Sequence, residues 1–290
     1  MNTVISTAFC RPDLTLRSII SIKKNFSDQD FNLKVYVDKA SNSSKNLDKN
    51  REMIDILQEA NSLGLITQLV EREEPYGCAK NIFFAVKEEL NKNDKIFLIE
   101  DDIELMRLHK NLPEKLFNYY ENENDVSCIT TYSNAIKAPQ NDTYLALRPC
   151  SLAWGTWKKY WEGFEIEDIK KINASSAFLN EIKSRLGSDM SAAFKAFKSE
   201  KVDSWAIPWS IYNLLKNTYT SYPKESFVKV FGHEEGATHT KNIIFNSKPA
   251  KKRLNSNYFA KKPSIDEAKF LKNYSFFSRA QRKIVSKLKL

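Results

Sequence analysis

Hydrophobic and polar positions alternate in blocks along the first hundred residues, and these blocks predict strands and helices in turn. Short apolar runs predict strands, whereas longer amphipathic runs predict helices. The predicted strands are Val4–Phe9, Leu33–Val37, Leu65–Val70 and Ile96–Ile99, and the predicted helices are Leu14–Lys24, Leu47–Ser62 and Gly77–Leu90. Strands and helices that alternate in this way predict an α/β fold, with a mostly parallel sheet flanked by helices on both faces.

Three consecutive acids follow the last of these strands. Ile96–Ile99 brings Glu100, Asp101 and Asp102 to the carboxyl end of the sheet, where α/β folds bind ligands, and Asp38 ends the second strand in the same way. Adjacent carboxylates repel one another unless a divalent cation neutralises them. Mg²⁺ or Mn²⁺ takes one or two carboxylates and completes its shell with water and phosphate. The pattern favours an enzyme that holds a nucleotide diphosphate; the alternative is an acidic turn in solvent.

The positive charge of the chain is concentrated in its C-terminal part. The whole sequence has a formal charge of +9, and residues 241–290 contain 14 Lys and Arg against two acids, which is +12. Residues 1–240 therefore carry 9 − 12 = −3. Nucleic-acid-binding proteins more often spread positive charge over a binding face, so we expect no nucleic-acid partner. A localised basic tail fits an anionic membrane surface.

The end of the basic tail predicts an amphipathic helix. Apolar residues alternate there with Lys and Arg, at Phe270, Leu271, Phe276, Phe277, Ile284, Val285, Leu288 and Leu290. Such a helix binds a membrane surface or packs its apolar side on the body of the protein, and the sequence leaves both alternatives open.

Cysteine use and the absence of long apolar stretches predict a cytoplasmic protein. The four cysteines are far apart and form no CxxC pair, which indicates reduced thiols rather than disulfides or zinc. No stretch approaches the ~20 apolar residues of a membrane-spanning helix, and the N-terminal residues do not resemble a secretory signal. If the tail binds lipid, we expect the protein on the inner face of the cytoplasmic membrane.

Tryptophans concentrate in the second half of the chain. Residues 149–161 contain three of the five, and Trp205 and Trp209 closely follow Asp203. Aromatic side chains at this density pack a core or form the walls of a pocket for flat, polar rings such as sugars. The chain has no GxGxxG motif and no P-loop, and only seven glycines. A bound diphosphate would therefore depend on a metal and on cationic side chains.

An ordered series of motifs resembles a known enzyme family. The series is Thr7 and Arg11, Asp38, Ala79-Lys80-Asn81, Ile-Glu-Asp-Asp-Ile-Glu (99–104), Cys-Ile-Thr-Thr-Tyr-Ser-Asn-Ala (128–135), Ser-Leu-Ala-Trp-Gly-Thr-Trp (151–157), Asp-Ser-Trp (203–205), Tyr-Pro-Lys-Glu-Ser (222–226) and Gly-Ala-Thr-His (236–239). It resembles the GT-A glycosyltransferases of the N-acetylglucosaminyltransferase I type, especially their bacterial relatives in capsule, O-antigen and lipooligosaccharide assembly.

The resemblance implies a fold and a domain organisation. It covers residues 2–240 and implies a Rossmann-like GT-A domain over residues 1–245, followed by the basic tail at 246–290. Within this domain, residues 1–105 would bind the nucleotide and residues 106–245 would bind the sugar and the acceptor.

The resemblance also implies roles for individual residues. Asp102 would coordinate Mn²⁺ or Mg²⁺, with His239 of a lid loop as a second metal or phosphate contact. Asp203 would be the catalytic base, although it could instead cap the predicted helix Trp205–Lys216. Glu234 or Glu235 could replace it as the base. The implied donor-binding residues are Thr7, Arg11, Asp38, Lys80, Asn81, Glu100, Asp101 and Trp154, the last as a pocket wall in the turn after Leu152.

The implied activity is metal-dependent, inverting transfer of a hexosyl or N-acetylhexosaminyl group. The donor would be a nucleotide sugar, with a UDP-sugar favoured, and the acceptor a glycan or a lipid-linked molecule. Two other functions compete with it. A nucleotidyltransferase shares the sheet and the acidic motif but usually begins with a glycine-rich loop, which Phe9–Pro12 lacks. A non-catalytic nucleic-acid-binding protein would use the basic tail, but the body is nearly neutral.

Overall fold

The computed structural model describes residues 3–26, 31–133, 141–231, 248–262, 267–272 and 274. Strands and helices alternate through the first hundred residues, as the hydrophobic pattern predicts. The strands are β1 (Thr3–Ala8), β2 (Asn32–Val37), β3 (Gln68–Glu71), β4 (Lys95–Glu100), β5 (Ile103–Leu105), β6 (Val126–Thr130), β7 (Thr143–Ala146), β8 (Trp154–Trp157), β9 (Tyr219–Pro223) and β10 (Val228–Val230). The helices are α1 (Pro12–Phe26), α2 (Leu47–Ser62), α3 (Gly77–Leu90), α4 (Leu112–Tyr120), α5 (Lys158–Trp161), α6 (Ile166–Lys171), α7 (Ser176–Leu186), α8 (Met190–Lys198), α9 (Ala206–Lys216) and α10 (Glu267–Lys272).

Eight of the described strands form one sheet, in the order β3-β2-β1-β4-β8-β6-β9-β7. Strands β3, β2, β1 and β4 run parallel to one another. Strand β8 lies between β4 and β6 and is antiparallel to both, while β9 is parallel to β6 and antiparallel to β7. The predicted α/β class, with a mostly parallel sheet flanked by helices, is confirmed.

The sheet is covered on both faces, which explains its continuous apolar strands. In β4, Phe97 and Ile99 face a core that includes residues of α1, α2 and α4. Ile96 and Leu98 face a second core that includes residues of α3, α8 and α9. A strand buried on both faces has no polar side, so its sequence is apolar at every inner position.

The carboxyl ends of the first strands meet at one edge of the sheet. Thr7 of β1 lies beside Tyr36 of β2 and beside Glu100 of β4. The chain then turns through Asp101 and Asp102 into a small antiparallel sheet of β5 and β10. Since the parallel strands place their ends together, residues far apart in sequence come together here.

The described part of the basic tail packs on the body of the protein. Phe259 and Phe270 are 4% and 1% exposed. The Tyr119 hydroxyl donates to the Phe259 carbonyl oxygen at 3.1 Å, and the Phe270 ring contacts those of Tyr144 and Tyr222. Of the two alternatives for the tail, packing on the body of the protein therefore holds for this part. The apolar residues from 276 to 290 lie outside the described residues. Among the described residues, no helix combines the length and apolar character needed to cross a bilayer.

Candidate active site

A cavity of about 560 Å³ opens at the carboxyl ends of β1, β2 and β4. Eight residues predicted for the site line it, namely Thr7, Arg11, Asp38, Asn81, Glu100, Asp101, Asp102 and Asp203. The structure does not bring Lys80 to the cavity, because its side chain is exposed on the surface of α3. The predicted metal contact His239 and the alternative bases Glu234 and Glu235 lie outside the described residues.

The acids at the end of β4 are paired with a single guanidinium group. Arg11 follows β1 directly, and its Nε donates to Asp101 Oδ2 at 3.2 Å while its Nη2 forms an ion pair with Asp101 Oδ1. Its Nη1 donates to Asp102 Oδ2 at 3.2 Å. The second oxygen, Asp102 Oδ1, is buried and has no hydrogen-bond partner within the described structure. One cation therefore compensates two of three adjacent carboxylates.

Burial and mutual repulsion make Glu100 and Asp101 reluctant to ionise. Burial, and then the charges of Asp102 and Asp101, raise the pKa of Glu100, although Arg11 and a hydrogen bond from Trp205 act in the opposite direction. Burial also raises the pKa of Asp101, despite the neighbouring guanidinium. A cation that enters the site therefore stabilises carboxylates held in this way.

The donor set fits a hard divalent cation that is shared with a ligand. Among the residues that the structure describes, no three Asp, Glu, His or Cys side chains converge into a ready-made metal cluster. Mg²⁺ and Mn²⁺ do not require one, since they often take one or two carboxylates and complete their shell with water and substrate phosphates. The unpartnered, buried Asp102 Oδ1 is such a carboxylate ligand. Asp102 thus fits the metal-binding role that the resemblance implies.

Two aspartates from distant elements meet the N-terminus of α3. Asp38 accepts hydrogen bonds from the backbone N–H groups of Lys39, Tyr76 and Gly77 at 2.9–3.0 Å. The Asp203 Oδ1 accepts from the Ala79 N–H at 3.1 Å. Both carboxylates satisfy N–H groups that a helix start leaves without partners, and they also complement its dipole.

Asp203 therefore does not act as the cap of the helix that follows it. Helix α9 has no side-chain cap, and its N-cap residue is Trp205. Asp203 instead bridges to α3, and its side chain is exposed at the cavity. A carboxylate that is anchored by one oxygen and open to the cavity is positioned to receive a proton from a bound molecule.

The indole group in the cavity wall is that of Trp205, not that of Trp154. Trp154 begins strand β8 rather than lying in a turn, and it is 0% exposed. It lies beneath Trp205, with the two ring centroids 4.5 Å apart and nearly parallel. Trp205 lines the cavity together with Glu100. The Asp-Ser-Trp motif contains this residue, and its place two residues after Asp203 is the signal in the sequence that could have identified it.

The thiols of the cavity are protonated at neutral pH. Cys10, Cys78 and Cys150 all line the wall, and all are free cysteines. Burial raises the pKa of each thiol, and that of Cys150 reaches about 11. Since the thiolate is the reactive form, the raised pKa values make these side chains poor nucleophiles at neutral pH.

One wall of the cavity was not predicted from the sequence, and its charge is positive, whereas that of the acids is negative. Arg148, Met190 and Tyr274 belong to it, and they come from a loop, from α8 and from the C-terminal tail. These residues are far apart in the sequence, so no local motif could have predicted that they share a wall. This wall contributes the second guanidinium group of the cavity.

Comparisons with known proteins give similarity in fold only. No protein-family model matches the chain, and no curated protein matches its sequence. A solved structure of S. aureus TarS, residues 1–349, is similar at 11% identity and a TM-score of 0.47, over 80% of this chain and 61% of that chain. The mannosyltransferase PcManGT from Pyrobaculum calidifontis, in complex with GDP-Man and Mn²⁺, is similar at 11% identity and a TM-score of 0.39, over 74% of this chain and 73% of that chain.

A third structure is glucosyl-3-phosphoglycerate synthase from Mycobacterium tuberculosis in complex with Mn²⁺, UDP and glucosyl-3-phosphoglycerate. It is 14% identical with a TM-score of 0.34, over 65% of this chain and 67% of that chain. This chain spans about three fifths of the shorter TarS structure and 37% of the longer one. At these identities and TM-scores the likeness carries no functional argument, so function is argued from the cavity itself.

Proposed function

We propose that the protein is a metal-dependent, inverting GT-A glycosyltransferase that uses a nucleotide-sugar donor. The observation that carries the proposal is the partly buried acid group of Glu100, Asp101 and Asp102, in which one Asp102 oxygen is buried and has no partner among the described residues. It faces a cavity that also contains the exposed carboxylate of Asp203. A cation-binding acid and a free base in one cavity are the two groups that a metal-dependent, inverting glycosyl transfer uses.

The metal would be held by Asp102. When bound there, Mn²⁺ or Mg²⁺ supplies Lewis acidity and neutralises the charge that develops on the leaving diphosphate. Arg11 contributes a second positive charge, because it lies against both Asp101 and Asp102. Asp38, Asn81 and Thr7 line the same side of the cavity and would contact the nucleotide.

Asp203 receives the proton of the transfer step. The acceptor hydroxyl oxygen forms a bond to the anomeric carbon, the bond from that carbon to the diphosphate oxygen breaks, and the hydroxyl proton passes to Asp203. General-base assistance of this kind is worth about 10²–10⁴-fold in rate. One base on the face opposite the leaving group gives in-line displacement and inversion of configuration.

The narrower assignments come from the sequence motifs. They are the resemblance to N-acetylglucosaminyltransferase I, the UDP-sugar donor, and a glycan or lipid-linked acceptor of bacterial surface polysaccharide assembly. Contact between the basic tail and an anionic membrane is part of the same proposal. It is supported by exposed Lys251, Lys252, Arg253, Lys261 and Lys262 in the described part of the tail.

Metal-dependent nucleotide binding tests the proposal. UDP and GDP are added to the full chain with and without Mn²⁺, and the melting temperature is measured. A ligand at 100 times its Kd stabilises the folded state by about 2.7 kcal/mol, which corresponds to a shift of roughly 5–10 °C for a chain of this size. We expect one nucleotide to give such a shift with Mn²⁺ and little shift when the metal is chelated.

Variants separate the two carboxylates. Asp102→Asn should abolish the Mn²⁺-dependent shift, whereas Asp203→Asn should retain it and lose transfer to the acceptor. Asp48→Asn, at a fully solvated position on α2 with a side chain 99% exposed, is the matched control and should behave as wild type. An unchanged Mn²⁺-dependent shift in Asp102→Asn would overturn the metal assignment, and full transfer activity in Asp203→Asn would overturn the base assignment.

A further inference from the structure

Arg148 is held in the cavity wall by contacts on three sides. Its Nη1 and Nη2 donate to the two oxygens of Asp189 at 2.7 and 3.0 Å. Its Nη1 also donates to the Leu186 carbonyl oxygen at 2.9 Å. Its Cζ lies 3.6 Å from the centroid of the Tyr274 ring, which covers one face of the guanidinium group. The side chain is only 14% exposed, so its position is fixed.

One edge of this guanidinium group has no acceptor among the residues that the structure describes. A guanidinium carries five N–H donors, and the contacts above use both on Nη1 and one on Nη2. Within the described residues, nothing accepts from Nε–H or from the second N–H of Nη2. These two donors point in parallel and match the two oxygens of a carboxylate or phosphate. Arg148 also lines the cavity, which brings its guanidinium group within reach of a molecule bound there.

The contacts of Arg148 also suit it to binding an anion. Asp189 stabilises the charged guanidinium in a partly buried place, and Tyr222 holds its backbone by donating from its hydroxyl to the Arg148 carbonyl oxygen at 2.7 Å. A donor pair that is already oriented loses little entropy when it binds. Because water is largely excluded from the group, a bidentate ion pair there is stronger than one on the surface.

We infer that the free edge of Arg148 is an oxyanion subsite, which binds a phosphate or carboxylate group of a molecule in the cavity. The inference rests on the proposed function, because it concerns an anionic group of either the acceptor or the donor. Arg148 comes from the loop between β7 and β8, whereas the acids lie at the end of β4 and in the turn after it. The subsite therefore uses a different side chain from the proposed metal position at Asp102.

Phosphate binding to the full chain tests the subsite directly. Inorganic phosphate is titrated calorimetrically at constant ionic strength into wild type, Arg148→Lys and the double variant Arg148→Gln with Asp189→Asn. The double variant removes both charges together, so it leaves no buried carboxylate without its partner. We expect phosphate affinity to fall about tenfold or more in the double variant and by less in Arg148→Lys, which keeps the charge but loses the bidentate edge. Arg51→Gln, on the exposed surface of α2, is the control and should bind as wild type.

A second titration in saturating UDP and Mg²⁺ identifies the source of the oxyanion. Binding of phosphate that survives the nucleotide assigns the subsite to an anionic acceptor, and binding that the nucleotide excludes assigns it to the donor diphosphate. Equal phosphate affinity in wild type and in both Arg148 variants would overturn the inference. Failure of UDP and GDP to bind at all would contradict the proposed function instead, and it leaves the phosphate comparison between variants intact.

Discussion

Replacing Gly77 by alanine tests whether α3 and Asp203 form one structural unit. Gly77 has a φ of +78°, and a Cβ there would lie 2.6 Å from Asp203 Oδ2. The left-handed backbone costs an L-residue roughly 1–2 kcal/mol. Since 2.6 Å is shorter than any real contact of this type, the carboxylate must move and lose its hydrogen bond to Ala79, a capping interaction worth about 1 kcal/mol. We expect Gly77→Ala to lower the free energy of unfolding by about 2–3 kcal/mol.

Gly64 is the matched control for the backbone contribution. Its φ is +69°, and a Cβ there would meet nothing within 4 Å. Gly64→Ala should therefore cost only the roughly 1–2 kcal/mol of left-handed strain. Urea denaturation of both variants measures the difference, and the same pair is then compared in the Asp203→Ala background. There the excess cost of Gly77→Ala should disappear, because the clashing carboxylate is gone.

The refuting result is equal destabilisation by the two glycine substitutions in the otherwise wild-type chain. It would mean that Asp203 is not held against α3. The same variants also test the proposed chemistry, because Gly77→Ala moves the carboxylate and should reduce sugar transfer, whereas Gly64→Ala should leave transfer unchanged.

Two further predictions concern the core. Gly155→Ala should destabilise the protein by more than about 3 kcal/mol, as measured by urea denaturation. The new Cβ would lie 2.6 Å from the backbone oxygen of Ile96, which cannot move aside. A loss of stability below about 1 kcal/mol would contradict this packing. His109 is fully buried, and burial lowers its pKa to about 3 from an ordinary 6.5. Only the unfolded chain then takes up the proton as the pH falls below 6.5. Between pH 6.5 and pH 5 the free energy of unfolding of wild type should therefore fall by about 2 kcal/mol, and that of His109→Gln should not show this loss. A stability difference between these two proteins that stays constant with pH would contradict this assignment.

The first half of the fold could be predicted because its strands are buried on both faces. A buried parallel strand is a continuous apolar run, and the helix after it shows an amphipathic period, so the two are easily distinguished. Helices Leu47–Ser62 and Gly77–Leu90 have the predicted bounds. The third strand is shorter than predicted, at Gln68–Glu71 rather than Leu65–Val70, and these four residues are in register with Lys34–Val37 of β2.

The second half could not be predicted in the same detail. Strands β8 and β10 are four and three residues long, too short to show a period. The aromatic residues around Trp154 indicated packing or a pocket without deciding which side chain faces which. The structure decides this through burial, since Trp154 enters the core and Trp205 takes the cavity wall.

The candidate site also has a part that the sequence could predict and a part that it could not. The acids after β4 and Asp38 after β2 could be brought together from the sequence, because parallel strands share one carboxyl end. The bond between Asp203 and Ala79 joins residues 124 positions apart, and the pair of Arg148 and Asp189 is likewise formed by tertiary packing alone. No local pattern predicts contacts of this kind.

The charge of the cavity explains why a diphosphate would need a metal here. Its wall contains five carboxylates against two guanidinium groups, a formal charge of −3 when all are ionised, from Asp38, Glu100, Asp101, Asp102 and Asp203 against Arg11 and Arg148. A diphosphate alone would be repelled by such a wall. A divalent cation at Asp102 offsets two of these negative charges and weakens the repulsion, so that nucleotide and metal bind with positive coupling. Each should therefore raise the affinity of the other by the same factor. Two independent sites would show no such effect on each other's affinity.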